Sequence, residues 1–107
     1  MCGTPLYMAP EVMEGKLHST KVDIYSFGLV MWEMWFGKRV FSELRREEFF
    51  RRIKDEHYRP QIPRSGNPPP AIWIELMSSS WQSDPSLRRT ATECKDIIKT
   101  IRYQHVE

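Results

Sequence analysis

The sequence predicts an all-α protein organised around one buried helix at residues 21–36. Ten of the fourteen side chains from Asp23 to Phe36 are apolar, so this segment lacks the continuous polar face that marks a surface helix. The run is shorter than the roughly 20 apolar residues of a membrane span, and it contains the acids Asp23 and Glu33. No stretch of strand length alternates polar and apolar residues, and 107 residues suffice for one domain with one core.

Both boundaries of this helix carry residues that favour helix ends. Thr20, followed three residues later by Asp23, predicts a start similar to a capping box. Gly37 follows the apolar run, and glycine adopts the left-handed conformation of a helix C-terminus most easily. The helices predicted to wrap the central one lie near residues 9–14, 45–56, 71–81 and 90–102.

The first half of the chain contains two of these outer helices. Residues 1–8 hold Gly and Pro without helical periodicity and are predicted to form an extended loop. Pro10 and Gly15 suit the first turn and the end of a short helix at 9–14. The helix at 45–56 is strongly charged. Its predicted apolar contacts are Leu44, Phe49, Phe50 and Ile53.

The second half begins with an irregular segment and ends with two helices. Five prolines and one glycine fall within residues 58–70, which argues against regular structure there. Apolar residues at helical spacing predict the helix at 71–81. Thr90 and Glu93 form a capping-box pattern at the start of the last helix. The predicted apolar stripe of that helix consists of Cys94, Ile97, Ile98 and Ile101.

The composition excludes several classes of partner and site. A net charge of +2 is too weak to predict binding to nucleic acid or to an anionic membrane. Cys2 and Cys94 are too few for a disulfide scaffold and are expected to be free thiols. The three histidines lack metal-ligand spacing, so no metal site is predicted. No leader or membrane span is visible, so a cytoplasmic location is expected. The residues expected in the core include the tryptophans Trp32, Trp35, Trp73 and Trp81.

Three segments, taken in order, resemble landmarks of the protein kinase domain. Residues 3–11, Gly-Thr-Pro-Leu-Tyr-Met-Ala-Pro-Glu, resemble the end of the activation segment, which closes on Ala-Pro-Glu. Residues 23–28 look like the start of the central helix of the kinase C-terminal lobe. Residues 81–88, with the pattern Trp-x-x-Asp-Pro-x-x-Arg, look like the segment before the last kinase helix. The resemblance implies that residues 1–107 are a partial kinase domain, from the end of the activation segment to the last helix of the C-terminal lobe.

The resemblance assigns structural roles to three charged residues. Glu11 is expected to pair with Arg88, which ties the activation segment to the far side of the lobe; the alternative is two solvated surface charges. Asp23 is expected to anchor the catalytic loop by accepting hydrogen bonds from its backbone amides. Without that loop, Asp23 could instead cap its own helix, because acids are favourable at a helix start.

The resemblance also predicts a substrate pocket near the start of the chain. Thr4 is expected beside the catalytic aspartate and lysine, as in Ser/Thr kinases, and Asp-Ile-Tyr-Ser-Phe-Gly is most similar to the tyrosine-kinase-like branch of those enzymes. The alternative for Thr4 is an ordinary loop threonine. Two departures from the family pattern are Ser80, where that branch has Cys, and Arg89, where the family has Pro. The expected pocket residues are Gly3, Thr4, Pro5, Leu6 and Tyr7.

The groups that perform phosphoryl transfer are missing from the sequence. The five glycines never form G-x-G-x-x-G, and the only asparagine, Asn67, has Ile62 where the catalytic loop requires Asp. Residues 26–28, Ser-Phe-Gly, mimic the metal-binding Asp-Phe-Gly without its carboxylate. No catalytic residue is therefore expected in this chain, and no cofactor bound by it. The intact kinase would use ATP, Mg and a protein substrate, with the N-terminal lobe and catalytic loop supplied from outside these residues.

Two functions follow from the resemblance. The first is the C-terminal-lobe part of a Ser/Thr-type protein kinase, inactive by itself. The second is a pseudokinase or truncated kinase-like module that only binds partners. An unrelated helical protein is a third, weaker interpretation. The charged run from Arg45 to Lys54 fits either a docking face for substrates or partners or a solvated helix face with internal ion pairs. The solvated helix face is the favoured interpretation.

Overall fold

The regular structure is entirely helical within the part of the chain that the structure describes. The structure is a computed structural model, which describes the backbone of residues 5–105 and the side chains of residues 5–101. The predicted all-α class is confirmed. The elements in chain order are α1 (Pro10–Met13), α2 (Lys21–Phe36), a 3-10 turn (Arg46–Glu48), α3 (Phe49–Lys54), α4 (Ala71–Ser80), a second 3-10 turn (Pro85–Leu87) and α5 (Ala91–His105).

The central helix α2 has the predicted bounds but begins differently. The predicted capping box at Thr20 is wrong: Thr20 has helical backbone angles, and its side chain makes no capping hydrogen bond. A capping residue normally has an extended backbone, which brings its oxygen to the free N–H groups. Here the hydroxyl of Ser19 accepts a hydrogen bond from the backbone N–H of Lys21 at 3.2 Å. The predicted glycine end is confirmed, because Gly37 is left-handed (φ 66°) and donates its N–H to the carbonyl of Glu33.

Helices α2 and α4 cross in close contact at Gly28. A Cβ atom there would lie 2.9 Å from the backbone oxygen of Met77 and 2.9 Å from the Cβ of Ser80, so only glycine fits. Tyr25 and Leu29, on the same side of α2, are fully buried. The Ser-Phe-Gly triplet is thus a packing feature of a helix.

One face of α2 is open to solvent. In a kinase, the catalytic loop and the helix before it would cover this helix, so Tyr25, Leu29, Trp32 or their neighbours are expected to show apolar surface here. Tyr25 and Leu29 themselves are fully buried and Trp32 is half-buried, so the exposed apolar surface comes from their neighbours. The exposed apolar side chains of α2 are Val30, at 38%, and Met34, at 67%. An apolar face is still open, but it lies on the side away from α4.

The tryptophans lie mostly at an edge of the core. Trp81 is buried, Trp32 and Trp73 are half-buried and pack against the core, and Trp35 is half-buried, so the prediction of four core tryptophans holds fully only for Trp81. A buried indole N–H requires an acceptor, which favours a position at the boundary. Trp32 and Trp35 donate their N–H groups to backbone carbonyls of the irregular segment between α3 and α4, at 2.8 and 2.9 Å. This segment is therefore fastened to α2.

Helix α3 is shorter than predicted and presents its charges to solvent. Residues 46–48 form the 3-10 turn, so the α-helix begins only at Phe49. Phe49 and Ile53 are buried, whereas the predicted contact Phe50 is 44% exposed. On the outer face, Arg52 pairs with Glu56 at 3.0 Å. Ion pairs between neighbouring side chains are what a solvated helix face contains.

The last helix, α5, begins as predicted. The N–H of Glu93 donates to the hydroxyl of Thr90 at 3.1 Å, and the N–H of Thr90 donates to the carboxylate of Glu93 at 2.8 Å. This reciprocal capping box is confirmed. Cys94 and Ile101 are buried in the core, but Ile98 is 41% exposed and lies outside the stripe to which it was assigned.

Candidate functional site

The segment before α1 contains the described part of the predicted substrate pocket. Gly3 and Thr4 lie outside the described residues. Pro5 starts a turn, in which its carbonyl accepts a hydrogen bond from the N–H of Met8 at 3.2 Å. Leu6 is buried in the core, whereas Tyr7 is exposed. The side chain of Leu6 therefore packs in the core, and the side chain of its neighbour Tyr7 lies at the surface.

Tyr7 fastens this segment to α2. Its phenol donates a hydrogen bond to a carboxylate oxygen of Glu33 at 2.6 Å, and its carbonyl accepts one from the hydroxyl of Ser26 at 2.8 Å. The hydrogen bond to Glu33, together with burial, raises the pKa of the Tyr7 phenol above its usual value. The second carboxylate oxygen of Glu33 accepts the backbone N–H of Val40 at 2.8 Å. One acid thus joins the segment at 5–8 to the loop after α2.

Sequence reasoning treated Glu33 only as an interruption of the apolar run. The signal that could have identified it is its position. A carboxylate inside a largely buried helix is costly unless polar groups pair with it, so a partner from another segment is required.

Glu11 and Arg88 meet in the interior of the protein. Nη1 and Nη2 of Arg88 donate to the two carboxylate oxygens of Glu11 at 2.7 and 2.8 Å. The residues are only 6% and 3% exposed, respectively. Burial by itself would raise the pKa of the Glu11 carboxyl, but the hydrogen bonds and charge of Arg88 outweigh burial and hold that pKa below its usual value. The Ala-Pro-Glu turn is therefore joined to the segment before α5.

Further hydrogen bonds of Arg88 and Lys21 tie the start of α2 to the same segment. Arg88 donates from Nε to the carbonyl of Gln82 at 2.8 Å and from Nη1 to the carbonyl of Lys21 at 3.0 Å. Lys21 returns the contact, because its Nζ donates to the carbonyl of Arg88 at 2.8 Å. Sequence reasoning missed Lys21. No periodicity signals a lysine whose partner is a distant backbone oxygen.

Tyr25 lies beneath two guanidinium groups. The Cζ atoms of Arg88 and Arg59 are 5.2 and 5.1 Å from the centre of its ring, within the range of a cation–π interaction. Tyr25 is fully buried, and burial raises the pKa of its phenol. Sequence reasoning also missed Arg59, which belongs to the proline-rich segment that was predicted to be irregular.

Asp23 occupies the first turn of α2, where it is exposed. An acid at this position interacts favourably with the positive end of the helix dipole. Its predicted role as an anchor of the catalytic loop stays a prediction, because that loop is not part of this sequence. The described residues contain no group of three His, Cys, Asp or Glu side chains arranged to hold a metal ion. None of the described helices combines the length and apolar character that a membrane crossing requires.

The arrangement links the Ala-Pro-Glu turn, the central helix and the last helix in the order expected for a kinase lobe. A family model described as "Protein kinase domain" matches residues 1–97 of this sequence. The chain belongs to the protein kinase family. The resemblance deduced from the three sequence landmarks is therefore confirmed.

Individual kinases resemble the chain over most of its length. Dual specificity protein kinase shkA of Dictyostelium discoideum is 39% identical over 103 residues, which are 90% of this chain and 19% of the relative. Dual specificity protein kinase pyk3 of the same organism is 34% identical over 103 residues, 96% of this chain and 8% of the relative. Serine/threonine-protein kinase PLK1 of Xenopus laevis is 42% identical over 90 residues, 84% of this chain and 14% of the relative. The kinase chain thus spans less than a fifth of the length of each of these relatives.

Proposed function

We propose that this chain forms the C-terminal-lobe part of a Ser/Thr-type protein kinase. In the intact kinase it builds the core of the lobe and binds the protein substrate through Gly3–Tyr7, and so supports ATP-dependent phosphorylation. The observation that carries the proposal is the buried pair of Glu11 and Arg88, which are 77 positions apart in sequence. It joins the two most specific kinase-like segments in the way that the family resemblance predicts.

The contacts of Tyr7 support the substrate-binding role. A pocket that positions a substrate requires a rigid backbone, because small displacements of the reacting groups slow a reaction strongly. Tyr7 is held on both sides, through its phenol by Glu33 and through its carbonyl by Ser26. The segment that leads into Gly3 and Thr4 is therefore anchored to the central helix.

The residues of this chain do not fit an ATP–Mg site. Phosphoryl transfer needs groups that position the phosphates, oxygen ligands for the metal and a base near the acceptor hydroxyl. The sequence has no glycine-rich phosphate loop and no catalytic-loop pattern. The described residues contain no cluster of three His, Cys, Asp or Glu side chains that could hold a metal ion. ATP and Mg are therefore assigned to parts of the kinase outside these 107 residues.

We expect the 107-residue chain by itself to bind no ATP–Mg and to transfer no phosphate. The physical reason is the absence of the phosphate cradle and the metal ligands from its sequence. Calorimetric titration with ATP–Mg and an assay with radiolabelled ATP and a general substrate protein would measure both properties. Sustained phosphotransfer that disappears on substitution of a residue of this chain would contradict the assignment.

The substrate-binding role can be tested in a chimera with the Dictyostelium kinase shkA. We expect shkA to retain protein kinase activity when its matching segment is replaced by this chain, because the lobe core and the substrate segment are both supplied. Thr4→Ala in the chimera should lower kcat/KM by about tenfold or more, the effect of losing one hydrogen bond to a charged group. The measurement is phosphorylation of a serine peptide under initial-rate conditions.

Thr20→Ala is the matched control for Thr4→Ala, because Thr20 is exposed and makes no capping hydrogen bond. It should leave kcat/KM unchanged. A chimera that folds and binds ATP but phosphorylates nothing would support the alternative of a pseudokinase-like interaction module. Equal activity of the Thr4→Ala and Thr20→Ala chimeras would contradict the predicted position of Thr4 beside the catalytic residues.

A further inference from the structure

Arg59 carries a partly buried positive charge that its contacts leave unneutralised. Its guanidinium donates to the carbonyls of Tyr58 and Trp81 at 2.7 and 2.8 Å, and to the hydroxyl of Ser83 at 2.9 Å. Each of these acceptors is uncharged. Desolvation by burial lowers the pKa of Arg59, as expected for a cation without a counter-ion.

The carboxylate of Glu11 is already bound by Arg88. Arg59 and Arg88 both contact the ring of Tyr25, and Arg88 takes both oxygens of Glu11. The cluster thus contains two guanidinium groups and one carboxylate, which binds Arg88 alone, and so keeps one positive charge in excess. Buried charges are usually paired, so this excess charge favours an anion from outside the chain.

Arg59 lines a cavity of about 220 Å³ between the end of α4 and the turn after α3. This volume is several times the roughly 30 Å³ that one water molecule occupies in the liquid. None of the lining residues is acidic. The residues around the cavity, which we call the His57–Arg59 pocket, are His57, Arg59, Ser78, Trp81, Gln82 and Ser83.

Two basic side chains converge on one point of the His57–Arg59 pocket. Nδ1 of His57 lies 2.7 Å from the hydroxyl oxygen of Ser83, the same oxygen that accepts the hydrogen bond from Nη2 of Arg59. His57 reaches this position from a left-handed backbone conformation (φ 56°), which is uncommon for a residue other than glycine. The turn is closed by the N–H of Tyr58, which donates to the carbonyl of Arg52 at 2.9 Å.

Two acids near the pocket in sequence, Asp84 and Glu56, are engaged elsewhere, and Asp55 does not line the pocket. The carboxylate of Asp84 accepts the N–H and the hydroxyl of Ser86 at 2.9 and 2.8 Å. The carboxylate of Glu56 pairs with Arg52 at 3.0 Å and also with Arg51. These acids therefore have partners other than Arg59 and His57.

We propose that the His57–Arg59 pocket binds a phosphate group. Nε and Nη1 of Arg59 already donate to backbone carbonyls, so Nη2 is the group that meets the ligand. Its charge-assisted hydrogen bond to a phosphate oxygen is stronger than a neutral one. The imidazole of His57 and the hydroxyl of Ser83 supply two further donors at the same point. On binding, a phosphate oxygen takes the place of the neutral Ser83 oxygen as the acceptor for Arg59. The site lies apart from the segment assigned to substrate binding and does not depend on that assignment.

The direct test is a titration of the 107-residue chain with inorganic phosphate, followed through the ring signals of its histidines by NMR. We expect the signals of His57 to shift and saturate, while those of His18, which does not line the pocket, stay in place. Sodium chloride at matched ionic strength serves as the control for screening. His57→Gly should weaken phosphate binding by about tenfold or more, because the side chain that supplies one hydrogen bond to the charged ligand is removed.

Two properties of the variants keep this test decisive. His57 is exposed and glycine adopts a left-handed backbone readily, so His57→Gly is expected to fold, which circular dichroism checks. His18→Gly removes an exposed histidine side chain outside the pocket and should leave phosphate affinity unchanged. For His57→Gly, from which the reporting histidine is gone, binding is measured by calorimetry in parallel with the parent chain.

A second titration with O-phosphoserine identifies the source of the phosphate. Tighter binding of O-phosphoserine than of inorganic phosphate indicates a phosphorylated side chain as the ligand, and the reverse order indicates the free anion. The proposal is overturned if neither compound gives a saturating shift, if His18 shifts in parallel with His57, or if His57→Gly binds phosphate as well as the parent. These outcomes concern the His57–Arg59 pocket alone and leave the kinase-lobe assignment unaffected.

Discussion

Substitution of Arg88 by alanine is expected to lower the free energy of unfolding by about 3–5 kcal/mol, the usual effect of breaking a buried ion pair. The substitution leaves the carboxylate of Glu11, only 6% exposed, without its two hydrogen bonds from the guanidinium. Small domains have only about 5–15 kcal/mol of stability in total, so this variant is close to unfolding. Urea denaturation followed by tryptophan fluorescence measures the change.

The adjacent residue provides a matched control. Arg89 forms an ion pair with Glu75, and the Glu75 side chain is exposed. Arg89→Ala should therefore change stability by no more than about 1 kcal/mol, as for surface ion pairs. Replacing both Glu11 and Arg88 by methionine should be less harmful than removing either partner, because no buried charge is then left unpaired. Equal, small effects of Arg88→Ala and Arg89→Ala would show that the Glu11 pair has no structural role.

The same pair predicts how stability depends on pH. The pKa of Glu11 is lower in the folded protein than its usual value, so the folded state favours the ionised carboxylate. The stabilisation is fully present above the usual glutamate pKa of about 4.3 and is lost as the pH falls through the lowered pKa. In Arg88→Ala this contribution to acid sensitivity should disappear, which the midpoint of urea denaturation between neutral and acidic pH would show.

Local sequence signals located the helices, although α3 is shorter than predicted. Gly37 predicted the end of α2, and the pair Thr90 and Glu93 predicted the start of α5. Each signal depends on groups a few residues apart, whose geometry the helix itself determines. The capping box at Thr20 failed for a related reason: the preceding Ser19 is closer to a free N–H, and the backbone of Thr20 is already helical.

Contacts between distant segments were harder to predict from the sequence. The pairing of Glu11 with Arg88 came from the family resemblance, because no local rule connects positions that far apart. Lys21, Glu33 and Arg59 were missed, since each reaches a backbone oxygen, a hydroxyl or an N–H group of a remote segment. Hydrophobic periodicity carries no information about such partners. A polar residue inside an apolar run is the one warning that the sequence offers, and Glu33 was such a case.

The sequence did not determine which residues of α2 form its open face, because an apolar run without a polar stripe does not indicate which side faces the neighbouring elements. In the folded protein, Gly28 brings α4 against the side of Tyr25 and Leu29, and the opposite side is left to solvent. The exposed Val30 and Met34 are thus the part of α2 that an additional element of an intact kinase could cover. The assignment of one side of α2 to the core and the other to solvent can be tested with two apolar residues of this helix.

Leu29→Ala and Met34→Ala are expected to differ strongly in their effect on stability. Leu29 is fully buried, so truncation leaves a cavity and should lower the free energy of unfolding by about 2–5 kcal/mol. Met34 is 67% exposed, so the same truncation should change it by about 0.5 kcal/mol or less. Both parent residues and alanine are good helix formers, so helix propensity contributes little to the difference. Thermal and urea denaturation of the two variants measure it. If Met34→Ala were the more destabilising substitution, α2 would be rotated relative to this structure, with Met34 in the core and Leu29 facing solvent.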